Sequence, residues 1–484
     1  MTDQRVPSSR WVMRGLLLVV LAFANLHDIW SPDVVPNTLF AWTLIRQGNV
    51  DFDEFSDIPR DTYFFRPCGP VAGIRTFVPA GSPRSPGGPP PPGPADHVCS
   101  IFPPGISLLA LPVLAPFVIA GVPPGDGATV IRLGHLAAAL IEAIAALVLW
   151  SVLRRFTSPR WSLALVLLYW LGTSVRTVAA QALWQHAGVH LAIAVALWLV
   201  LSDGRVSPRR ELIAGAVMGF GTAVRQTTGL IALGMARLPW PISVVRPLAP
   251  IAFAVGWGSG VIPLLVYGQV AFGSAFEQGY GDKPFNGDVA TGLYGLLLSP
   301  SRGILTYEPW IVAALIALAL AWRSPGHVAL RLRGLSIAWL VLLYTYARYA
   351  EWWGGRVFGP RFLDDLAPAL VVAVAWAVSR GWLSAPWARA AFWVAAAWSL
   401  LLFNAAALVY EPSGWDLNIN FDQSRLFLWS DPQWFSVLAA LASADMRVVA
   451  AALLSALVCA LLIASELRAG RVVTATSGHT RASR

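Results

Sequence analysis

An all-α integral membrane protein is the fold class this sequence predicts, on three observations. Of 484 residues, 56% are hydrophobic and only 13% charged. Uninterrupted apolar runs such as "LGHLAAALIEAIAALVLWSVL" and "VVAAALLSALVCALLIA" are long enough, at about 1.5 Å per residue, to cross about 30 Å of hydrocarbon as helices. Because lipid offers no partner to a free backbone N–H or C=O, such runs must form a helical bundle.

The net charge of +9 is nearly all arginine, and its placement matters more than its sum. With each apolar run taken as a span, the arginines of "TDQRVPSSRWVMR", "RRFTSPR", "SDGRVSPRR", "RLPWPISVVR", "RSPGHVALRLR", "SRGWLSAPWAR" and the tail "ELRAGRVV" fall on one side. The positive-inside rule makes that side the cytoplasm, which accounts for the basic charge without nucleic acid as a partner.

The topology that satisfies the rule has about twelve transmembrane helices, near 11–27, 129–153, 161–178, 187–202, 211–223, 226–239, 248–271, 305–322, 335–349, 362–379, 388–409 and 447–466. Both termini are then cytoplasmic, with 467–484 a basic cytoplasmic tail. No small-residue cleavage site follows the first span, residues 1–27, so it is expected to be retained. A long first extracytoplasmic loop, 28–128, carries interfacial helices at about 36–48 and 104–121 and a Pro/Gly-rich spacer, and precedes the polytopic bundle of 129–466. "FPPGISLLALPVLAPFVIAG" is assigned to that loop because counting it as a span would reverse the charge rule through mid-chain, and its four prolines suit an interfacial or re-entrant helix. Other long outer connections are 272–304, 350–361 and 411–446, and function is expected on this face because the cytoplasmic loops are too short to build a site. Cys68 and Cys99 flank the spacer on the oxidising side and are expected to form a disulfide, whereas Cys459 lies in the last span as inert core.

After Asp33, Pro36 suits a first helical turn, Val35, Leu39, Trp42 and Ile45 share one face, and Gly48 supplies the stop. Asp33 thus stands where the first span meets a surface helix, read either as a helix-entry acid near the positive dipole end or as a catalytic carboxylate. Outer arginines run against the charge rule and so invite a function: Arg302 in "LLLSPSRGILTYEP", and Arg356 and Arg361 beside Trp352 and Trp353 in "RYAEWWGGRVFGPRFLDD". Snorkelling is the plainer reading of each; convergence on a phosphate, which guanidinium groups grip bidentately, is the functional one. Arg225 at a hairpin turn and Lys283 in "GYGDKPFNGD" complete the basic set, with Glu351, Tyr307, Gln185 and His186 as polar groups for a sugar or acceptor. His186 and His190 share a helix face, yet no neighbouring acid in sequence completes a metal site, so a polar lining is preferred. In "GNVDFDEF", Asp51 and Asp53 share one face of an extended strand and, with Asp57, are weak candidates for a divalent ion.

These features resemble the GT-C glycosyltransferases, in the branch of protein mannosyltransferases and lipid A aminoarabinose transferases. The family pattern of an acidic residue, an Ala eight positions on, a Leu and a closing Gly is matched by Asp33, Ala41, Leu44 and Gly48. Its Lys-Pro-Pro helix start is similar to Phe102, Pro103 and Pro104, and its Arg-Leu opening of the next span to Arg132 and Leu133. Val34 stands where the family often has a second acid, and Phe102 where a lysine meets the lipid phosphate, so another base must serve. The resemblance implies an inverting transferase that moves a sugar from a polyprenyl-phosphate donor to an extracytoplasmic acceptor. Asp33 would act as general base and Arg302, Arg356, Arg361, Arg225 and Lys283 would hold the phosphate, with no cofactor required beyond a possible divalent cation. Competing expectations are a transporter or flippase of a lipid-linked saccharide, and a polysaccharide polymerase or ligase.

Overall fold

The computed structural model describes residues 8–25, 33–55, 64–68, 97–124, 127–201, 207–236, 248–277, 279–280 and 285–479, with side chains to residue 467. Lys283 and Asp57 lie outside the described residues. Within them the chain is mostly helical, and five helices are long and apolar enough to cross a membrane.

Helix α1 (Ser8–Phe23) is followed by α2 (Val34–Trp42), which a π turn extends to Gln47 before Gly48, at φ 70°, ends it. A two-stranded antiparallel sheet, β1 (Phe65–Cys68) and β2 (His97–Ser100), precedes α3 (Gly105–Ile119). The first half of the bundle is α4 (Gly127–Leu153), α5 (Pro159–Leu171), α6 (Gln185–Val200), α7 (Pro208–Val224), α8 (Thr228–Met235), α9 (Leu248–Gly260) and α10 (Ile262–Phe272). The second half is α11 (Val289–Leu298), α12 (Ile304–Tyr307), α13 (Ile311–Ala321), α14 (His327–Arg348), α15 (Ala367–Ser379), α16 (Pro386–Val409), α17 (Gln433–Ala442) and α18 (Met446–His479).

Local chemistry sets several boundaries. Ser158 accepts from the Trp161 amide and Pro159 occupies the first turn of α5, while Asp288 caps α11 through the Thr291 amide. Several expected spans are corrected. The run 161–178 stops at Leu171, because Gly172 and the polar Thr173 and Ser174 yield to a π turn at Val175–Ala179. The run 305–322 breaks at Glu308–Pro309 into α12 and α13, since Pro309 offers no amide hydrogen. The run 248–271 stands as expected: Leu248–Phe272 is one long apolar helix, with α9 and α10 separated only by a turn at Val261. Helix α14 begins at His327 rather than near 335, taking Arg331 and Arg333 into its early turns. The loops 272–304 and 411–446 carry α11 and α17, and the tail continues helix α18 beyond residue 467.

The arginines that read as a topology signal are also ties between helices. Buried Arg14 pairs with Glu466, which Arg154 also approaches at 3.5 Å, and lies 4.3 Å above the Trp150 ring. Arg331 joins Glu211 of α7 to the Met235 carbonyl of α8, and Arg155 donates to the Trp198 carbonyl at 2.7 Å. Helices α7 and α9 approach through paired glycines. A Cβ on Gly215 or Gly219 would stand 2.0 or 2.2 Å from the Phe253 or Trp257 carbonyl oxygen, and one on Gly256 or Gly260 2.0 Å from a carbonyl of α7. This reciprocal small-xxx-small contact is a packing device of helices in lipid, where backbone proximity replaces the hydrophobic drive.

At the opposite end lies the segment between α1 and α4. Cys68 and Cys99 are bonded, with Cα atoms 5.6 Å apart, and Asp51 bridges to Cys99 as a short third edge. Phe40, Phe52, Phe64, Phe65, Phe102 and Tyr267 form a small core beneath the sheet. Arg66 fastens it to the bundle through Glu277 at 3.0 Å and the Gly279 carbonyl at 3.3 Å.

Candidate functional site

Asp33 occupies the N-cap position of α2 but makes no side-chain cap bond there. Its carboxylate instead faces the Arg361 guanidinium at 3.7 Å, both side chains partly open at 19% and 12% exposure. That separation is a charge contact rather than a hydrogen bond. Three glycines at positive φ, Gly354, Gly355 and Gly359, fold the segment ahead of Arg361 back on itself. The guanidinium then rests 4.7 Å from the Trp184 ring and 5.3 Å from Phe362.

Next to it, His186 and Arg225 converge on Asp365. His186 Nδ1 is 2.7 Å from Asp365 Oδ1, and Arg225 Nε is 3.3 Å from Asp365 Oδ2. Arg225 Nη1 also lies 3.1 Å from His186 Nε2. Arginine only donates, so Nε2 is the acceptor, and the imidazole proton sits on Nδ1, donated to Asp365. The histidine is therefore neutral and locked between an acid and a base. Burial alone would lower the Arg225 guanidinium, but the Asp365 carboxylate outweighs it and the balance lies above the ordinary arginine value. Arg225 Nη2 donates to Tyr346 at 2.9 Å, and that ring stacks on Phe362 at 4.4 Å.

Tyr280 completes the wall. It hydrogen-bonds Gln185 and feels the charges of both Arg225 and Asp33, and burial pushes its phenol well up, so it is a neutral hydroxyl. Phe102 meets the Tyr280 ring edge-on at 5.7 Å. Gln185 keeps a buried Nε2 with no partner among the described residues. Glu351 accepts from Tyr349 at 3.0 Å, and Tyr349 in turn senses Tyr280 and Arg361. The structure thus brings together Asp33, Arg361, Arg225, His186, Gln185 and Glu351.

It does not bring Arg302 into this group. Arg302 is 1% exposed and every guanidinium nitrogen is engaged: Nε with the Trp353 carbonyl, Nη1 with Ser301, Nη2 with the Gly355 carbonyl and, at 2.7 Å, with Asp416. The expectation that it meets a phosphate is not supported, because the guanidinium is closed off from the open site and already donates four hydrogen bonds within the protein. Burial alone would lower it, yet Asp416 holds it above its ordinary value. Tyr307 belongs to the same network through Ser301 and Gln433, and Gln433 and Tyr410 both donate to Asp416. Trp352 and Trp353 are buried: Trp352 packs on Gly295 and Phe427, and Trp353 donates to Asn420 at 3.2 Å. Arg356 is exposed and has no hydrogen bond or ion pair among the described residues.

His186 and His190 do not share a metal either, since they turn to different acids. His190 Nδ1 lies 3.1 Å from Glu142, and its Nε2 3.0 Å from the Asp364 carbonyl. The partners are distant in the chain, on α4 and in the Leu363–Leu366 turn, and residue type alone marks Asp364 and Asp365 within "RFLDD". Asp51, Asp53 and His97 form the one group among the described residues with three ligand atoms within 4.8 Å of one another. Asp53 is already committed there, to His97 at 2.6 Å and the Val98 amide at 3.0 Å. Compared with known proteins, the chain matches no protein-family model and no curated protein.

Proposed function

We propose that the chain is an inverting glycosyltransferase of GT-C type, taking a sugar from a polyprenyl-phosphate donor and delivering it to an extracytoplasmic hydroxyl or amine. The observation that carries this reading is the facing of Asp33 and Arg361 at 3.7 Å in a partly open site, with Arg225 one residue group behind. A general base needs a carboxylate that an acceptor can reach, and a departing phosphate needs fixed positive charge. Asp33 would take the acceptor proton as the acceptor oxygen or nitrogen bonds to the anomeric carbon. The bond from that carbon to the phosphate oxygen breaks, and its electron pair leaves on the lipid phosphate against Arg361 and Arg225. One displacement inverts the centre. The Gln185 Nε2, which has no partner among the described residues, supplies a neutral donor for a sugar hydroxyl.

This reading assigns the site to the outer face of the plasma (inner) membrane, about twelve spans, and both termini to the cytoplasm, as the arginine distribution indicates. Arg356, exposed beside the site segment, and Lys283 are further phosphate ligands under it. A divalent cation at Asp51, Asp53 and His97 is an accessory to the reading and not a requirement.

A transporter of a lipid-linked saccharide is the second reading, favoured by the buried Glu142, His190, Asp364 and Glu308 and by the helix break at Glu308. A polymerase or ligase acting on diphosphate donors shares the layout. Supplying a labelled polyprenyl-monophosphate sugar to proteoliposomes separates them: transfer to an acceptor supports the transferase, and translocation without transfer supports the carrier. Asp33→Asn should lower transfer by about 10² to 10⁴ with normal folding. Near-wild-type turnover would end the assignment.

A further inference from the structure

Beneath the site, two acids meet with no base between them. Glu308 stands at the break between α12 and α13, fully buried, and neither of its carboxyl oxygens has a donor among the described residues. Asp364, 1% exposed, lies in the Leu363–Leu366 turn ahead of α15. Its Oδ2 accepts from the Ser174 amide at 2.7 Å, but its Oδ1 likewise lacks a donor among the described residues. Both acids border the turn that follows α5, where the Ser174 amide reaches Asp364 and Trp310, two residues beyond Glu308, donates to the Gly172 carbonyl at 3.4 Å, and the two carboxyl groups interact electrostatically.

We propose that Glu308 and Asp364 form a proton-binding site, a carboxyl–carboxylate pair that shares one proton inside the bundle. Two ionised carboxylates in contact away from water repel and leave their lone pairs unsatisfied, whereas one proton makes an O–H···O bond and removes one of the charges. Neighbouring bases are otherwise occupied. His190 Nε2 donates to the Asp364 main-chain carbonyl and its Nδ1 faces Glu142 at 3.1 Å, Tyr169 donates to the other Glu142 oxygen, and Arg225 and His186 are held by Asp365.

The pair is coupled to the site by chain continuity. Asp364 and Asp365 are consecutive in one turn, and Asp365 is the residue that fixes His186 and Arg225. Losing the shared proton places a second negative charge in a fully buried position, and the turn that relieves it is the turn that positions Asp365. Proton occupancy at Glu308 and Asp364 therefore controls the geometry of the His186 and Arg225 cluster. This holds whether the site transfers or transports, so its test stands apart from that of the transferase reading.

Infrared difference spectroscopy on the full chain in lipid nanodiscs tests it. Wild type should show a protonated-carboxyl C=O band at neutral pH, shifted by deuterium exchange, that Glu308→Gln removes. An amide keeps a donor in place of the shared proton, so this variant should fold. Should it not, Asp364→Asn gives the same reading, and the wild-type band alone still decides. A group that binds a proton in the folded state at a pH where the unfolded chain has lost it destabilises as pH rises. Wild-type thermal stability should accordingly fall as pH rises above the ordinary carboxyl range, by up to about a tenfold change in the folding equilibrium per unit, and Glu308→Gln should flatten that slope. Absence of the band, an unchanged slope in the variant, or stabilisation by sodium over choline with no band would overturn the proposal; the last would assign the pair to an alkali cation.

Discussion

Asp416→Ala is the sharpest perturbation of the loop that carries Arg361. Arg302 is buried to 1% and Asp416 to 0%, with Nη2 2.7 Å from Oδ1. Removing the acid strands a guanidinium whose other contacts are three main-chain carbonyls, at Ser301, Trp353 and Gly355. It also takes away the acceptor of Tyr410 and Gln433. Breaking one partner of a buried pair costs about 3–5 kcal/mol, because the remaining charge stays desolvated. Replacing both partners by apolar groups of similar volume is commonly near neutral in such sites. The assay is a double-mutant cycle, Arg302→Met and Asp416→Leu singly and together, read by reversible unfolding in detergent. Each single change should destabilise by several kcal/mol and the pair by much less than the sum, with donor affinity tracking stability. Additive singles, or Arg302→Met losing donor binding at wild-type stability, would refute the structural role given to Arg302 and return it to the phosphate.

Other outcomes are expected in parallel. Arg361→Gln should lower transfer by about 10² to 10³ with little change in stability, since one fixed donor to the departing oxyanion is lost; radiolabel transfer measures it. Thiol labelling of the unfolded chain without reductant should modify Cys459 alone, and with reductant all three cysteines. Opening the bond, which spans 31 positions, should destabilise the loop by up to about 4 kcal/mol on the chain-entropy estimate, read as a reductant-dependent shift in unfolding. Gly219→Leu should destabilise by 1–3 kcal/mol or more (~, as overpacking against backbone does), because its Cβ alone would stand 2.2 Å from the Trp257 carbonyl; Gly258→Leu, with open space at that Cβ, is the control.

Much of the helical framework can be read along the chain because its causes are local. Apolar runs fix where helices α4, α16 and α18 lie, and the stop at Gly48 follows from a residue that tolerates φ 70°. The helix breaks are less legible: Gly172 and Pro309 mark them, yet an apolar run reads as one span until the polar neighbours Glu308 and Ser174 prove to be packed inside. Of the candidate site, Asp33, Arg225, Arg361, Gln185 and His186 stand out in sequence by residue type and place. Arg302 stands out equally, and only its burial and its four hydrogen bonds within the protein distinguish a committed arginine from an available one.

Taken alone, the sequence determined composition, helical periodicity and which ends carry arginine, since transfer free energy and backbone preference act within a few residues. Partner choice was decided by tertiary structure. His186 and Asp365 are 179 positions apart, as are no two residues that any local pattern would pair, and Arg225 enters from a third helix. A buried charge takes whatever opposite charge the packing brings within a few ångströms, and that depends on how whole helices cross.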